Sequence, residues 1–420
     1  MLKINIYEAK TGYDAPWFNF FHKKFYEFLI SIEFEGRIMN QQSDRIKSES
    51  VSSLVRNYEY IALVFQGGGA LGSYQAGVFE ALSEAGIEPN WMSGVSIGAI
   101  NVSIIAGNKP ENRVSKLKEF WETITDHGYA SQLAGNDNLR TFHNLTSAMM
   151  AMIYGVPGFY KPRMLSPWQQ SPGQAGATSH YDTSDLKEHL NSLIDWDILN
   201  QHSHRLSVGA VNVRTGNYKY FDTALERIGP EHIMASGALP PAFPAVKIGS
   251  EFYWDGGIVS NTPLQYLLEL NKLHQTLVFQ VDLFNARGDM PKTVPEVRAR
   301  LKDIMYSSRT RNATNRYKKI HDLQTHLRDA LSRVDPSKWT LEDKRILEEL
   351  QDTPQINVLQ LIYHHASYEG DQKDYEFSKW TMREHWAAGL EDARRTLSHP
   401  EWLKMDQSTG MTLHDVHRDE

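Results

Sequence analysis

Apolar residues fall along this chain in short runs, and their spacing predicts alternating strands and helices. Tyr60 to Phe65 is an unbroken apolar run of strand length. After the glycine-rich stretch Gly67-Gly68-Gly69-Ala70-Leu71-Gly72, helical spacing predicts a helix from Leu71 to Ala85, stopped by Gly86. Trp91-Met92-Ser93 predicts a short strand leading into Gly94-Val95-Ser96-Ile97-Gly98. Ala99 to Ala106 then reads as an apolar helix closed by Gly107-Asn108. Further on, Val246 to Trp254 reads as a hairpin that runs into Asp255-Gly256-Gly257. Beyond residue 290, helices are expected over Val294–Tyr306, Leu341–Leu350 and Thr381–Leu397. The chain divides on this pattern into an N-terminal extension (1–57), an α/β layer (58–290) and a mostly helical C-terminal extension (291–420).

Two glycine-flanked turns in this layout carry candidate chemistry. Both join a strand to a helix at the strand's carboxyl end, where open α/β sheets place their sites. Gly94-x-Ser96-x-Gly98 has the nucleophile-elbow spacing, a turn so tight that glycines must flank it and the Ser hydroxyl stands clear. Alone this pattern is weak, since chance produces it in roughly one chain in seven of this length. The Gly67–Gly72 turn offers bare N–H groups of the kind that hold a tetrahedral oxyanion. Asp255-Gly256-Gly257 is on its own an ordinary turn signal. Its functional alternative is a carboxylate at a backbone kink, reaching a partner on another strand.

Taken in order, the three motifs resemble those of the patatin-like phospholipase family. Its pattern is a glycine-rich loop, then Gly-x-Ser-x-Gly, then Asp-Gly-Gly or Asp-Gly-Ala. Gly72-Ser73-Tyr74-Gln75-Ala76-Gly77 resembles the family's first helix. Tyr181-Asp182-Thr183-Ser184 and the run Ala235 to Pro244 also look like family stretches, so the likeness spans roughly residues 58 to 285. The resemblance implies a three-layer α/β fold with a mainly parallel central sheet, and hydrolysis of lipid acyl esters without cofactor or metal. It also implies Ser96 as nucleophile and Asp255 as its base, with Gly94 and Gly98 shaping the elbow. The oxyanion loop would be Gly67, Gly68, Gly69, Ala70 and Gly72. Such a dyad is demanding, because a free Asp with a pKa of ~3.9 is a poor proton acceptor. Burial beside Phe252, Tyr253 and Trp254 is expected to raise it. The family usually carries Arg or Lys where this chain has Leu71, so backbone donors alone must serve and slower turnover is expected.

Three other chemistries use some of the same residues. Gly67-x-Gly69-x-x-Gly72 also fits a dinucleotide fingerprint, but no acidic residue stands near Asn90–Ser93, where that motif needs one. A phosphate-binding P-loop fails for want of a Lys after Gly72. An α/β-hydrolase would add a His after the acid, and His364 and His365 follow a strand-like run at Asn357–Tyr363. A catalytically silent lipid-binding module is the third alternative.

Composition narrows the class further. The 420 residues are 41% hydrophobic with no Cys, which supports a packed core and excludes disulfides and thiolate metal sites. A net charge of −7 argues against a nucleic-acid partner. Met1–Glu8 lacks the pattern of a signal peptide, and no apolar run reaches the ~18 residues of a membrane span, so a cytoplasmic protein is expected. Two stretches bear on peripheral membrane contact. The aromatic-rich segment from Trp17 to Ile32 is read as packing into an apolar groove, with a membrane surface as the alternative. The basic stretch Lys292–Lys319 is read as a solvated helix face, with anionic headgroups as the alternative. Met149, Met150, Met152, Ile153 and Tyr154 form an adaptable apolar patch suited either to a lid or acyl groove or to roofing the core. Nothing in the sequence bears on oligomeric state.

Overall fold

The run from Tyr60 to Phe65 forms a strand whose last four residues are buried, the environment of a parallel strand covered on both faces. The structure is a computed structural model that describes residues 51–126, 137–201, 203–270, 275–351, 355–366, 368–404 and 411–419. The aromatic segment at 17–32 therefore lies outside the described residues. The central sheet contains β1 (Tyr60–Phe65), β2 (Trp91–Gly94), β3 (Arg205–Asn212), β4 (Tyr218–Asp222), β5 (Val246–Ile248), β6 (Glu251–Asp255), β7 (Thr276–Asp282), β8 (Ile356–Ile362) and β9 (Met411–Asp415). Their order is β9-β8-β7-β1-β2-β3-β6-β5, with β4 also pairing on β3. From β9 to β3 every neighbour is parallel, whereas β4 and β6 run antiparallel to β3 and β5 runs antiparallel to β6. This is the expected α/β class with a mainly parallel sheet.

Among the helices that pack around the sheet are α1 (Ser73–Glu84), α2 (Ile97–Ala106), α3 (Asp137–Tyr154), α4 (Pro230–Ser236), α5 (Leu264–Leu270), α6 (Val294–Ser332) and α7 (Lys379–Leu397). Alternation along β1 sorts them into layers. Leu63 and Phe65 join a core with Phe79 of α1, Ile100 of α2 and Trp386 of α7. Ala62 and Val64 face the other way, onto Leu264 and Leu267 of α5, with Tyr317 of α6 packed against them. Helix α1 ends where expected, with Gly86 at φ 66°. Its approach to α7 is close: a Cβ on Gly389 would lie 2.0 Å from the Tyr74 carbonyl oxygen.

The region after residue 290, expected as a mostly helical extension, does contain long helices. It also supplies β8 and β9, which continue the central sheet outward from β7. Residues 51–420 form one compact unit. The physical reason is edge coverage: β7 would otherwise present an unpaired row of backbone groups. Among the described residues no helix is long and apolar enough to cross a membrane.

Candidate active site

The turn after β1 is built by close backbone packing. Gln66 is fully buried and its side-chain carbonyl accepts from the N–H groups of Leu283 and Phe284, at 2.6 and 3.1 Å. Gln75 of α1 donates to the Gln66 carbonyl at 2.6 Å. Gly67 is clamped by Asn261, whose backbone carbonyl accepts from Gly67 N–H at 3.2 Å and whose side-chain amide donates to the Gly67 carbonyl at 2.9 Å. Gly69 then turns with φ 56°, a conformation that favours glycine, and opens a 3₁₀ turn over Gly69–Gly72. Gly72 sits against the elbow, since a Cβ there would meet Ile97 at 2.6 Å.

The expected oxyanion loop narrows under this geometry. The Gly67 N–H is spent on Asn261, and the Ala70 N–H donates to the Asp374 carbonyl at 2.8 Å. Among the described residues, the N–H groups of Gly68 and Gly69 have no partner. Leu71, where the family usually carries a cation, is fully buried in the core.

Ser96 lies between β2 and α2 with φ 56° and ψ −126°, and is the only non-glycine at positive φ among the described residues. Such a backbone costs on the order of 1–3 kcal/mol and persists only where its surroundings impose it. Here the Ser96 N–H donates to both the carbonyl and the hydroxyl of Ser236 at the end of α4, each at 3.1 Å. Gly98 is required because a Cβ would lie 2.5 Å from the Phe65 carbonyl oxygen, and one on Gly94 would lie 2.5 Å from Gly98 itself.

Sheet register brings Asp255 to the same place. Gly94 of β2 pairs with Val208 of β3, and Asp255, the last residue of antiparallel β6, pairs with Ala210 two residues further on. The Ser96 hydroxyl and the Asp255 carboxylate line the same cavity, near enough for the hydroxyl to pull the carboxyl pKa down. Gly257 N–H donates to the same carboxylate at 2.7 Å. Asp255 is 2% exposed. Burial lifts its pKa from 3.8 to about 7, against the opposing pull of the Ser96 hydroxyl and the Gly257 N–H.

Ser96, Asp255 and the Gly67–Gly69 turn open on one cavity of about 280 Å³. Its walls are mainly apolar and aromatic, including Ile100, Phe159, Tyr160, Phe243 and Phe377. Met152 of α3 and Tyr306 of α6 also reach it. No histidine lines it. His364 and His365 are both exposed, and His364 Nδ1 is engaged with the Ile362 carbonyl at 2.9 Å. No cluster of His, Asp or Glu among the described residues has metal-binding geometry. Sequence reasoning missed Asn261, Ser236 as the clamp on Ser96, and Asp374. Asn261 lies six residues past Asp255, close enough for its spacing to have been a signal; Asp374 acts through its backbone and leaves none.

Comparison with known proteins decides the family. The profile described as patatin-like phospholipase matches residues 63–268, and a second, described as patatin phospholipase, matches residues 304–409. The chain belongs to the patatin-like phospholipase family. The second match extends family character into the region that carries α6, β8 and α7. Patatin-like phospholipase domain-containing protein 7 of Rattus norvegicus is 33% identical over 95 residues, 22% of this chain and 7% of that protein. Patatin-like phospholipase domain-containing protein 6 of Homo sapiens is 32% identical over 123 residues, 27% of this chain and 9% of that protein. The chain thus matches less than a tenth of the length of these patatin-like relatives. Among solved structures, VipD from Legionella pneumophila aligns with 81% of this chain and 67% of its own, at 16% identity and a TM-score of 0.36. That superposition is too loose to carry an argument.

Proposed function

We propose that the protein hydrolyses carboxylic esters of lipids through a Ser96–Asp255 dyad and an acyl-enzyme intermediate. The observation that carries this reading is a strained, half-buried Ser96 that shares one cavity with a buried carboxylate whose pKa stands at about 7. As Ser96 Oγ attacks the ester carbonyl carbon, its proton passes to Asp255. The developing oxyanion takes hydrogen bonds from the free N–H groups of Gly68 and Gly69. Collapse of the tetrahedral intermediate expels the alcohol, which receives the proton from Asp255. Water then attacks the acyl-enzyme with Asp255 again as base, and Ser96 regains its proton as the acid leaves. The apolar cavity suits an acyl chain. We further propose a membrane surface as the partner that presents the lipid.

A fluorophosphonate should label Ser96 in mass spectra. Ser96→Ala and Asp255→Asn should each lower hydrolysis of a short p-nitrophenyl ester and of a phospholipid by about 10³-fold or more. Rates left intact in both variants would remove the mechanism, and absence of labelling would favour a silent binding module. His364→Ala combined with His365→Ala should leave the rate within about twofold. The exposure of both rings and the lack of histidine in the cavity favour the dyad over a triad.

A further inference from the structure

The glycine turn after β1 is held from a distant part of the chain. Ala70 N–H donates to the carbonyl of Asp374 at 2.8 Å. That oxygen lies so close that a Cβ on Gly69 would be 2.0 Å from it, so only glycine at 69 admits the bond. The bond also fixes which N–H groups of the turn stay free. With Ala70 turned toward Asp374, Gly68 and Gly69 keep theirs unspent; if the bond were lost, the turn could rotate and misaim all three.

The segment carrying Asp374 is itself gripped by two consecutive residues of α6. Lys302 Nζ donates to the Asp371 carbonyl at 2.7 Å and to the Asp374 carboxylate at 2.6 Å. Asp303 pairs with Lys373 at 2.6 Å, with both side chains almost wholly buried. Removing either partner would leave the other charge buried and unpaired, so the pair ties the segment to α6. The same segment walls the cavity with Tyr375 and Phe377. Near the same turn, the buried His385 of α7 pairs with buried Glu369 at 2.8 Å. With Leu71 buried in the core, the turn carries no cation of its own, and its aim depends on these outside holds.

We propose that the 371–377 segment is a working part of the ester-hydrolysing site, in which the Asp374 carbonyl aims the free N–H groups of Gly68 and Gly69 and Lys302 is the positioning residue that holds Asp374 in place. This rests on the dyad reading. Lys302 touches neither Ser96 nor the proposed oxyanion position; it acts through Asp374.

The test is Lys302→Met beside Lys302→Arg and Asp374→Asn, assayed on a soluble p-nitrophenyl ester. A misplacement of about 1 Å can cost roughly a hundredfold in rate, so Lys302→Met is expected to lower kcat by about tenfold to a hundredfold. KM should stay within about twofold, as for an interaction made only in the transition state. Fluorophosphonate labelling of Ser96 should slow by a similar factor, because the phosphonyl oxygen uses the same donors. Lys302→Arg should restore most of the rate, and Asp374→Asn, which keeps the carbonyl but weakens the grip, should fall between. The inflection set by Asp255 should not move in any of them. Wild-type kcat and labelling rate in a folded Lys302→Met protein would overturn the inference, as would a rise in KM alone. Failure of the dyad reading shows separately, as an active Ser96→Ala.

Discussion

Asp255 is the side chain whose chemistry folding alters most at this site. As a base it must be ionised, and its carboxyl stands at about 7 because burial penalises the charge. The acylation rate should therefore rise with pH and level off above an inflection near 7, measurable as kcat/KM on a soluble ester. A plateau already reached at pH 5 would contradict the lift. The same lift has a sign for stability. The folded carboxyl binds its proton more tightly than the unfolded one, so stability falls as pH rises from about 4 to about 7, and the penalty is complete above that window. A lift from 3.8 to about 7 corresponds to at most about 4 kcal/mol. Asp255→Asn should thus raise the thermal midpoint at pH 8, more than at pH 5, while destroying activity. A midpoint that falls at pH 8 would show that the carboxylate is not held against its own burial.

The turn between β1 and α1 is where the sequence expectation and the structure part most usefully. A cation in place of Leu71 was expected to reinforce an anion-binding turn, but this side chain is fully buried among the core residues beneath it. Leu71→Arg should accordingly destabilise by on the order of 3–5 kcal/mol, as an unpaired buried charge does, and should not speed turnover. A stable and faster variant would show that the position can open to the cavity. Local pattern made β1, the Gly86 helix stop, the elbow and the β5–β6 hairpin readable, because each depends on neighbours within a few residues. Two things were not readable. Pairing of β8 on β7 joins strands some eighty residues apart, and periodicity holds no record of register across such a gap. The hold on Ala70 comes from a backbone carbonyl at Asp374, which any residue type could supply. Helical spacing from 291 onward was real, yet it hid two strands that finish the sheet.

At the scale of the whole molecule, α3 is turned inside out relative to an ordinary surface helix. Arg140 and Asn144 face inward and are buried, whereas Leu139, Phe142, Leu145, Met149, Met152 and Ile153 are exposed at helical spacing. Met152 is at once part of this stripe and part of the cavity wall, so the apolar surface is continuous with the proposed acyl site. Trp168 and Met164 are also strongly exposed. Apolar surface of this kind is the sort that marks an interaction site, and it would suit the membrane partner proposed above. Part of the basic stretch on α6 is turned to internal partners. Arg300 donates to the carbonyls of Asn285 and Ala286, Lys302 to Asp371 and Asp374, and Lys318 to the Met411 carbonyl. Adhesion driven by α3 should then depend only weakly on salt, unlike adhesion through exposed cations. Phe142→Asp combined with Leu145→Asp should cut hydrolysis of vesicle-borne phospholipid by about tenfold or more while leaving a soluble short ester within about twofold. Equal loss on both substrates would assign α3 to the fold of the site, and a steep fall in vesicle binding with salt would return the contact to the α6 cations.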